Sequence, residues 1–329
     1  MIKFTKKTFI TALSAVALAI PALSAAEENY PSKAITFIVP YAAGGSSDTR
    51  SRQLAQHMAE TLGVPVVVEN RPGASGNIGT SQIARAKPDG YTIGLGNFAP
   101  MAINKALYGD TLPFDPETDI QPIALIERGG MVLAVNSQSP YQSAEELLRD
   151  AKANPDKLNY ASTGAGGASH LISELFKVRG GFEAIHVPYR GGAPAVNDLM
   201  GGTVDMYLEL ASLFIPHLTA ENPRIRALAI STEERVSALP NVPTFKELGI
   251  DLVGSNWFGV IAPAGVSQDK LTKLNEAVNK ALENESYRKV VESQGADVAG
   301  GTPEDFKKFI QSESALWGDL IRQQNITVQ

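Results

Sequence analysis

The sequence predicts an α/β protein built from two similar lobes, on three observations. Short β-branched and apolar runs alternate with stretches of helical periodicity, the pattern of parallel strands covered by helices. Glycine is frequent, 29 of 329 residues, as many tight strand-to-helix turns require. One junction also recurs: Ala43-Gly44-Gly45-Ser46-Ser47 follows an apolar run, and Ala165-Gly166-Gly167-Ala168-Ser169 follows Tyr160-Ala161-Ser162-Thr163. Both have the form strand, small-residue loop, helix.

Taken in order, the chain opens with Lys3, Lys6 and Lys7, an apolar stretch over 9–22, and the small residues Ser24 and Ala26. This is the layout of an export signal over residues 1–26, too short for a membrane span and followed by Glu27-Glu28-Asn29. An exported protein is expected. With no cysteine it has no disulfide, no thiol chemistry and no lipid anchor on an N-terminal cysteine. The net charge of −6 becomes more negative without the leader lysines, which argues against nucleic acid or an anionic membrane surface as partner.

Strands are predicted over 35–39, 64–69, 91–95, 123–126, 131–135, 157–161, 184–187, 204–208, 227–230 and 258–262. Helical spacing joins Leu54, Met58 and Leu62, then Leu147 and Ala151, then Leu171, Leu175 and Phe176. The last stretch shows no strand pattern and is expected to be helical over 270–282, 285–294 and 303–324. Thr302-Pro303-Glu304-Asp305 starts the last of these with a capping threonine, proline at the first helical position and acids in the first turn.

Glycines let a ligand touch main-chain N–H groups, and a helix N-terminus offers several unpaired ones with a favourable dipole. Such an end binds carboxylate or phosphate without lysine or arginine. Two facing loops would each take one end of a two-headed anion. The other reading is of ordinary turns with capping serines, and the residues alone leave both open. Gly94-Leu95-Gly96-Asn97-Phe98-Ala99 matches a dinucleotide fingerprint only weakly, because Pro100 follows and no strand-end acid comes at the usual distance. No phosphate-binding P-loop, G-x-S-x-G or H-E-x-x-H occurs. His57, His170, His186 and His217 are scattered. Asp205 and Glu209 lie on one face of a strand, where an acid–base pair and a hydrogen-bonding pair for a ligand amine or hydroxyl are both admissible. No nucleophile-and-base set is present, so an enzyme, a cofactor and a metal are not expected.

The chain resembles the extracytoplasmic solute receptors of tripartite tricarboxylate transporters, the Bug family, from about residue 30 to near the C-terminus. The resemblance rests on Tyr30-Pro31-Ser32-Lys33-Ala34-Ile35, Pro40-Tyr41-Ala42-Ala43-Gly44-Gly45-Ser46-Ser47-Asp48, and Val68-Glu69-Asn70-Arg71-Pro72-Gly73-Ala74-Ser75-Gly76-Asn77-Ile78-Gly79. Lys87-Pro88-Asp89-Gly90-Tyr91-Thr92, the 160–171 loop, Val187-Pro188-Tyr189-Arg190-Gly191-Gly192 and Gly202-Thr203-Val204-Asp205 continue it. Leu239-Pro240-Asn241-Val242-Pro243-Thr244 and Trp257-Phe258-Gly259 complete it.

The resemblance implies a periplasmic, non-catalytic, monomeric receptor with a two-lobe, type II-like binding-protein fold. Each lobe would hold a mixed, mostly parallel sheet: one from residues 27–125 plus 245–329, the other from 126–244. It implies a small di- or tricarboxylate in the interlobe cleft and membrane permease subunits as partners. Gly44, Gly45 and Ser46 would serve one end of the ligand. Ser162, Thr163, Gly167, Ala168 and His170 would serve the other. Asn97, Tyr189, Asp205 and Trp257 would line the wall, and the aromatic neighbours Tyr41, Phe98, Tyr189 and Trp257 would equally welcome an aromatic dicarboxylate. Glu209 stands where relatives often have Asp, which bears on how a ligand amine is handled. Closure would bend segments near 124–131 and 227–260. Two alternatives share the cleft: an enzyme using Asp205 and Glu209, and a sensor subunit presenting its ligand to a signalling protein.

Overall fold

The computed structural model describes Met1, residues 30–155 and residues 157–327. The export signal lies, apart from Met1, outside the described residues. The first elements are β1 (Ile35–Val39), α1 (Ser46–Leu62), β2 (Val66–Asn70), α2 (Asn77–Ala84), β3 (Thr92–Asn97), α3 (Asn104–Tyr108) and β4 (Ile120–Asn136). Next come α4 (Ala144–Ala153), β5 (Asn159–Ser162), α5 (Ala168–Gly180), β6 (Ile185–Pro188), α6 (Gly192–Gly201), β7 (Met206–Leu210), α7 (Ala211–Leu218) and β8 (Ile225–Ile230). The chain ends with β9 (Ser255–Pro263), α8 (Gln268–Leu282), α9 (Glu285–Ser293), β10 (Ala296–Gly300) and α10 (Pro303–Gln323).

The sheet is mixed. β1 runs parallel to β2 and β3, and β5 runs parallel to β6 and β7. β9 is antiparallel to both β3 and β4, and β4 is antiparallel to β7, β8 and β10. Alternating strands and helices therefore foretell the two parallel groups and miss the antiparallel strands between them.

Two strands expected at 123–126 and 131–135 are one strand, β4, of 17 residues. The intervening Glu127-Arg128-Gly129-Gly130 looks like a turn and is not one. Glu127 is buried and ion-paired with Arg50. A Cβ on Gly129 would meet Leu210 Cδ2 at 2.6 Å, and one on Gly130 would meet Thr232 Cγ2 at 2.7 Å. These glycines allow close packing across the sheet. Up to Gly130, β4 pairs with β9 and β10, and from Met131 onward it pairs with β7 and β8. It thus belongs to two strand groups at once.

β10 is the strand the sequence hides, because Ala296-Asp297-Val298-Ala299-Gly300 lacks an alternating apolar face; it forms by pairing with β4 over Leu125–Gly129. The helices around it match expectation. α10 begins with a reciprocal cap, Asp305 N–H donating to Thr302 Oγ1 and Thr302 N–H to Asp305 Oδ2, each at 3.1 Å.

A second crossing lies beside Gly130. Met131 N–H donates to Ser231 Oγ at 3.0 Å, Ser231 N–H to Met131 O at 2.9 Å and Gly254 N–H to Ser231 O at 3.0 Å. Phe245 N–H bonds Ile230 O, and the Phe245 ring packs on Phe176 of α5 at 5.0 Å. Residues 245–254 thus hold bonds to the end of β8 and packing on α5 before β9 pairs with β3 and β4.

Candidate functional site

The two glycine loops adopt one backbone geometry. Gly44 and Gly166 take φ +83° and +75°, values open to glycine. Gly45 and Gly167 follow as N-caps of α1 and α5, with φ/ψ of −79°/173° and −78°/169°. Neither cap has a side chain to bond the helix start. The first helical bonds run from Thr49 N–H to Gly45 O and from Leu171 N–H to Gly167 O. The amides of residues 46–48 and 168–170 thus precede both helical ladders, with the positive dipole ends behind them.

The side chains repeat as well. Gly44 N–H donates to Asp48 Oδ2 at 2.9 Å, and Gly166 N–H donates to His170 Nδ1 at 3.0 Å. Ser51 Oγ bonds Ser47 O and Ser173 Oγ bonds Ser169 O, both at 2.7 Å. Gly44, Asp48 and Ser51 correspond position by position to Gly166, His170 and Ser173.

One cavity of about 650 Å³ is lined by the first loop and, through Thr163 alone, by the segment leading into the second. Gly44, Gly45 and Ser46 line one side, Thr163 and Glu209 the other. Thr49, Arg50, Gly192, Ser212, Leu213, Pro216 and Gln294 complete much of the wall. The Glu209 carboxyl is buried: Oε1 accepts from Leu210 N–H at 2.9 Å and Oε2 from Tyr207 OH at 3.0 Å. Burial raises its pKa, opposed by those donors and by the Ser169 and Thr163 hydroxyls. Arg50 brings a guanidinium to the wall, but it is committed to Glu127 and, at 2.9 Å, to Gln294 Oε1. The cavity therefore offers amides and hydroxyls more than free cations.

Other predicted residues are placed around this centre. Ser162 is fully buried, its Oγ 2.6 Å from His186 Nε2. His170 is turned into its own loop and stacks on His186 at 3.9 Å, so its ring is not a wall group. Gly167 and Ala168 form the α5 tip. Tyr189 follows the second loop, its N–H on Ser162 O and its hydroxyl on Asp198 Oδ2 at 2.7 Å. Tyr41 OH donates to Asn97 Oδ1 at 2.6 Å, and Asn97 Nδ2 donates to Asn256 Oδ1 and Trp257 O. This network ties the first loop to β3 and β9.

Phe98 and Trp257 are core residues. Both are almost wholly buried, edge-to-face with one another at 6.4 Å, and Trp257 Nε1 donates to Glu313. Asp205 lies before β7, its carboxylate taking Asn159 N–H while its own N–H bonds Asn159 Oδ1. Four residues of strand put it about 13 Å from Glu209, so the two do not act as one acid–base pair.

The model of the tripartite tricarboxylate transporter family receptor matches residues 51–326. Protein BugT of Bordetella pertussis is 36% identical over 298 residues, 90% of each chain. The chain belongs to the Bug family of these receptors. Among solved structures, R. palustris Rpa4515 with adipate superposes with a TM-score of 0.78 at 34% identity, covering 91% of this chain and 99% of that one. MatC from Rhodopseudomonas palustris with bound malate gives 0.74 at 30%, covering 89% and 100%. The protein is thus a periplasmic-type solute-binding receptor with the binding-protein α/β fold. No helix among its described residues is long and apolar enough to cross a membrane.

Several wall residues of this receptor escape a reading of its sequence. Gly192 was legible: Gly191-Gly192 opens α6 directly after β6, the same strand–glycine–helix grammar as the other two loops. Arg50, Ser212 and Gln294 gave no signal, because each reaches the cavity only through the packing of α1, α7 and the end of α9.

Proposed function

We propose that the receptor binds a small di- or tricarboxylate between the α1 and α5 tips and, as an exported monomer, delivers it to the permease of a tripartite tricarboxylate transporter. The observation carrying this reading is the matched backbone of two uncapped helix starts, together with a cavity lined by the first of them and by Thr163 of the second loop. Amides of residues 46–48 take one carboxylate and those of residues 168–170, with Thr163 Oγ1, take the other. Residues Ser162, Tyr41 and Asn97 hold the loops from behind. Adipate and malate in two relatives support the ligand class. The reciprocal Asp205–Asn159 bonding removes the main support for catalysis.

A thermal-shift panel of aliphatic and aromatic carboxylates tests the reading. A bound acid at a hundredfold excess over its Kd adds about 2.7 kcal/mol of stability, so the melting temperature rises by several degrees. Unchanged melting across the panel would overturn the reading.

A further inference from the structure

We infer that Asp48 and His170 are matched positioning residues for the two carboxylate cradles, and that only the His170 latch is released by acid. The inference rests on the carboxylate reading above and deepens it. Each side chain sits four residues beyond a left-handed glycine and accepts that glycine's N–H, at 2.9 Å for Asp48 and 3.0 Å for His170. Both are buried, with 4% and 7% exposure. The bond holds the turn that aims the following amides, those of residues 46–48 in one loop and 168–170 in the other, Gly167 N–H itself being held by Gly164 O.

The two acceptors differ in what acid does to them. Asp48 also accepts from Asn70 Nδ2 at 3.0 Å and pairs with Arg52 at 3.0 Å. Arg52 foremost, with Gly44 N–H and Asn70, holds its carboxyl down to about 2 against burial. It stays an acceptor through the range in which His170 titrates. His170 accepts through Nδ1, so its ring is neutral with the proton on Nε2. Protonation would turn Nδ1 into a donor facing the Gly166 N–H. Lys177 of α5 and Tyr160 of β5 face the ring and His186 of β6 stacks upon it, while Glu174 of α5 acts on His186. Burial first, then Lys177, lowers His170 to about 4. The folded, neutral ring is thus intact near pH 7, and its contribution is lost as pH falls from the ordinary histidine value toward 4.

Calorimetry with adipate and malate, from pH 7 to 3.5, tests this on the purified protein. His170→Ala is expected to weaken binding about tenfold, the scale of one lost amide bond, while His170→Asn stays within about threefold because its Oδ1 replaces Nδ1 as acceptor. His170→Asn should also flatten the part of the acid loss that exceeds the ligand's own titration. Equal loss in both variants overturns the inference. So does an acid step that persists in His170→Asn and vanishes in His186→Phe. ¹⁵N NMR of the wild-type imidazoles decides the point without ligand: an unprotonated Nδ1 and a Gly166 amide shift tracking His170 titration support the latch, and a protonated Nδ1 overturns it. If neither acid binds the wild type, the carboxylate reading fails while the NMR result still judges the latch.

Discussion

Glu209 is a carboxyl set beside a cavity lined also by main-chain amides, hydroxyls, the committed Arg50 and the apolar Leu213 and Pro216, and on the proposed reading that placement makes it selective. Its oxygens are held by Leu210 N–H and Tyr207 OH, and burial raises its pKa, so a proton or a ligand donor near it is favoured. Glu209→Gln keeps an acceptor for Leu210 N–H and removes the titration. It is expected to change the affinity ratio between malate, which carries a hydroxyl, and adipate, which does not, by about tenfold. Calorimetry on both acids reads this ratio, and an unaltered ratio sinks the assignment. At this scale the glycines and Thr163 were legible because the loop motif occurs twice. Phe98 and Trp257 were not: an aromatic beside a motif serves core or cleft equally well until packing decides, and here both fill the space against Trp317 and Phe306.

Among the elements, α1 and α5 work through their N-termini. Gly45 and Gly167 both have negative φ, and an added Cβ would approach nothing nearer than Ala42 O at 3.7 Å in the first and Gly164 O at 3.4 Å in the second. The fold leaves room for a side chain there, and on the proposed reading glycine serves close approach of a ligand to the main chain. Gly45→Val and Gly167→Val should keep the circular dichroism and melting temperature of the parent and bind at least about a hundredfold more weakly. Parent-like affinity in both variants would end the facing-tip model. Gly129 and Gly130 show the opposite use, with Leu210 and Thr232 pressed against them. Nothing in the local sequence separates the two uses.

For the whole molecule, β4 is the organising strand. It pairs with one strand group before Gly130 and with the other after it, and Ser231 bonds both Met131 and Gly254 at the crossover. On the proposed reading these two adjacent chain crossings form the hinge, and a ligand touching both loops favours the closed form by its differential contacts. Saturating adipate or malate is expected to reduce the radius of gyration in small-angle scattering. An unchanged radius with measured binding would show that the loops meet the ligand without lobe movement.

The sequence alone determined the α/β class, most helices and strands, the twin loops and the family, because these follow from local periodicity, capping chemistry and repeated motifs. Tertiary structure decided the rest. It merged two short runs into β4 by burying Glu127 against Arg50, raised β10 by pairing alone, and separated Asp205 from Glu209 through the bonds of Asn159. Each depends on partners far along the chain, and whether a charge, a glycine or an aromatic faces solvent, core or ligand is set by those partners.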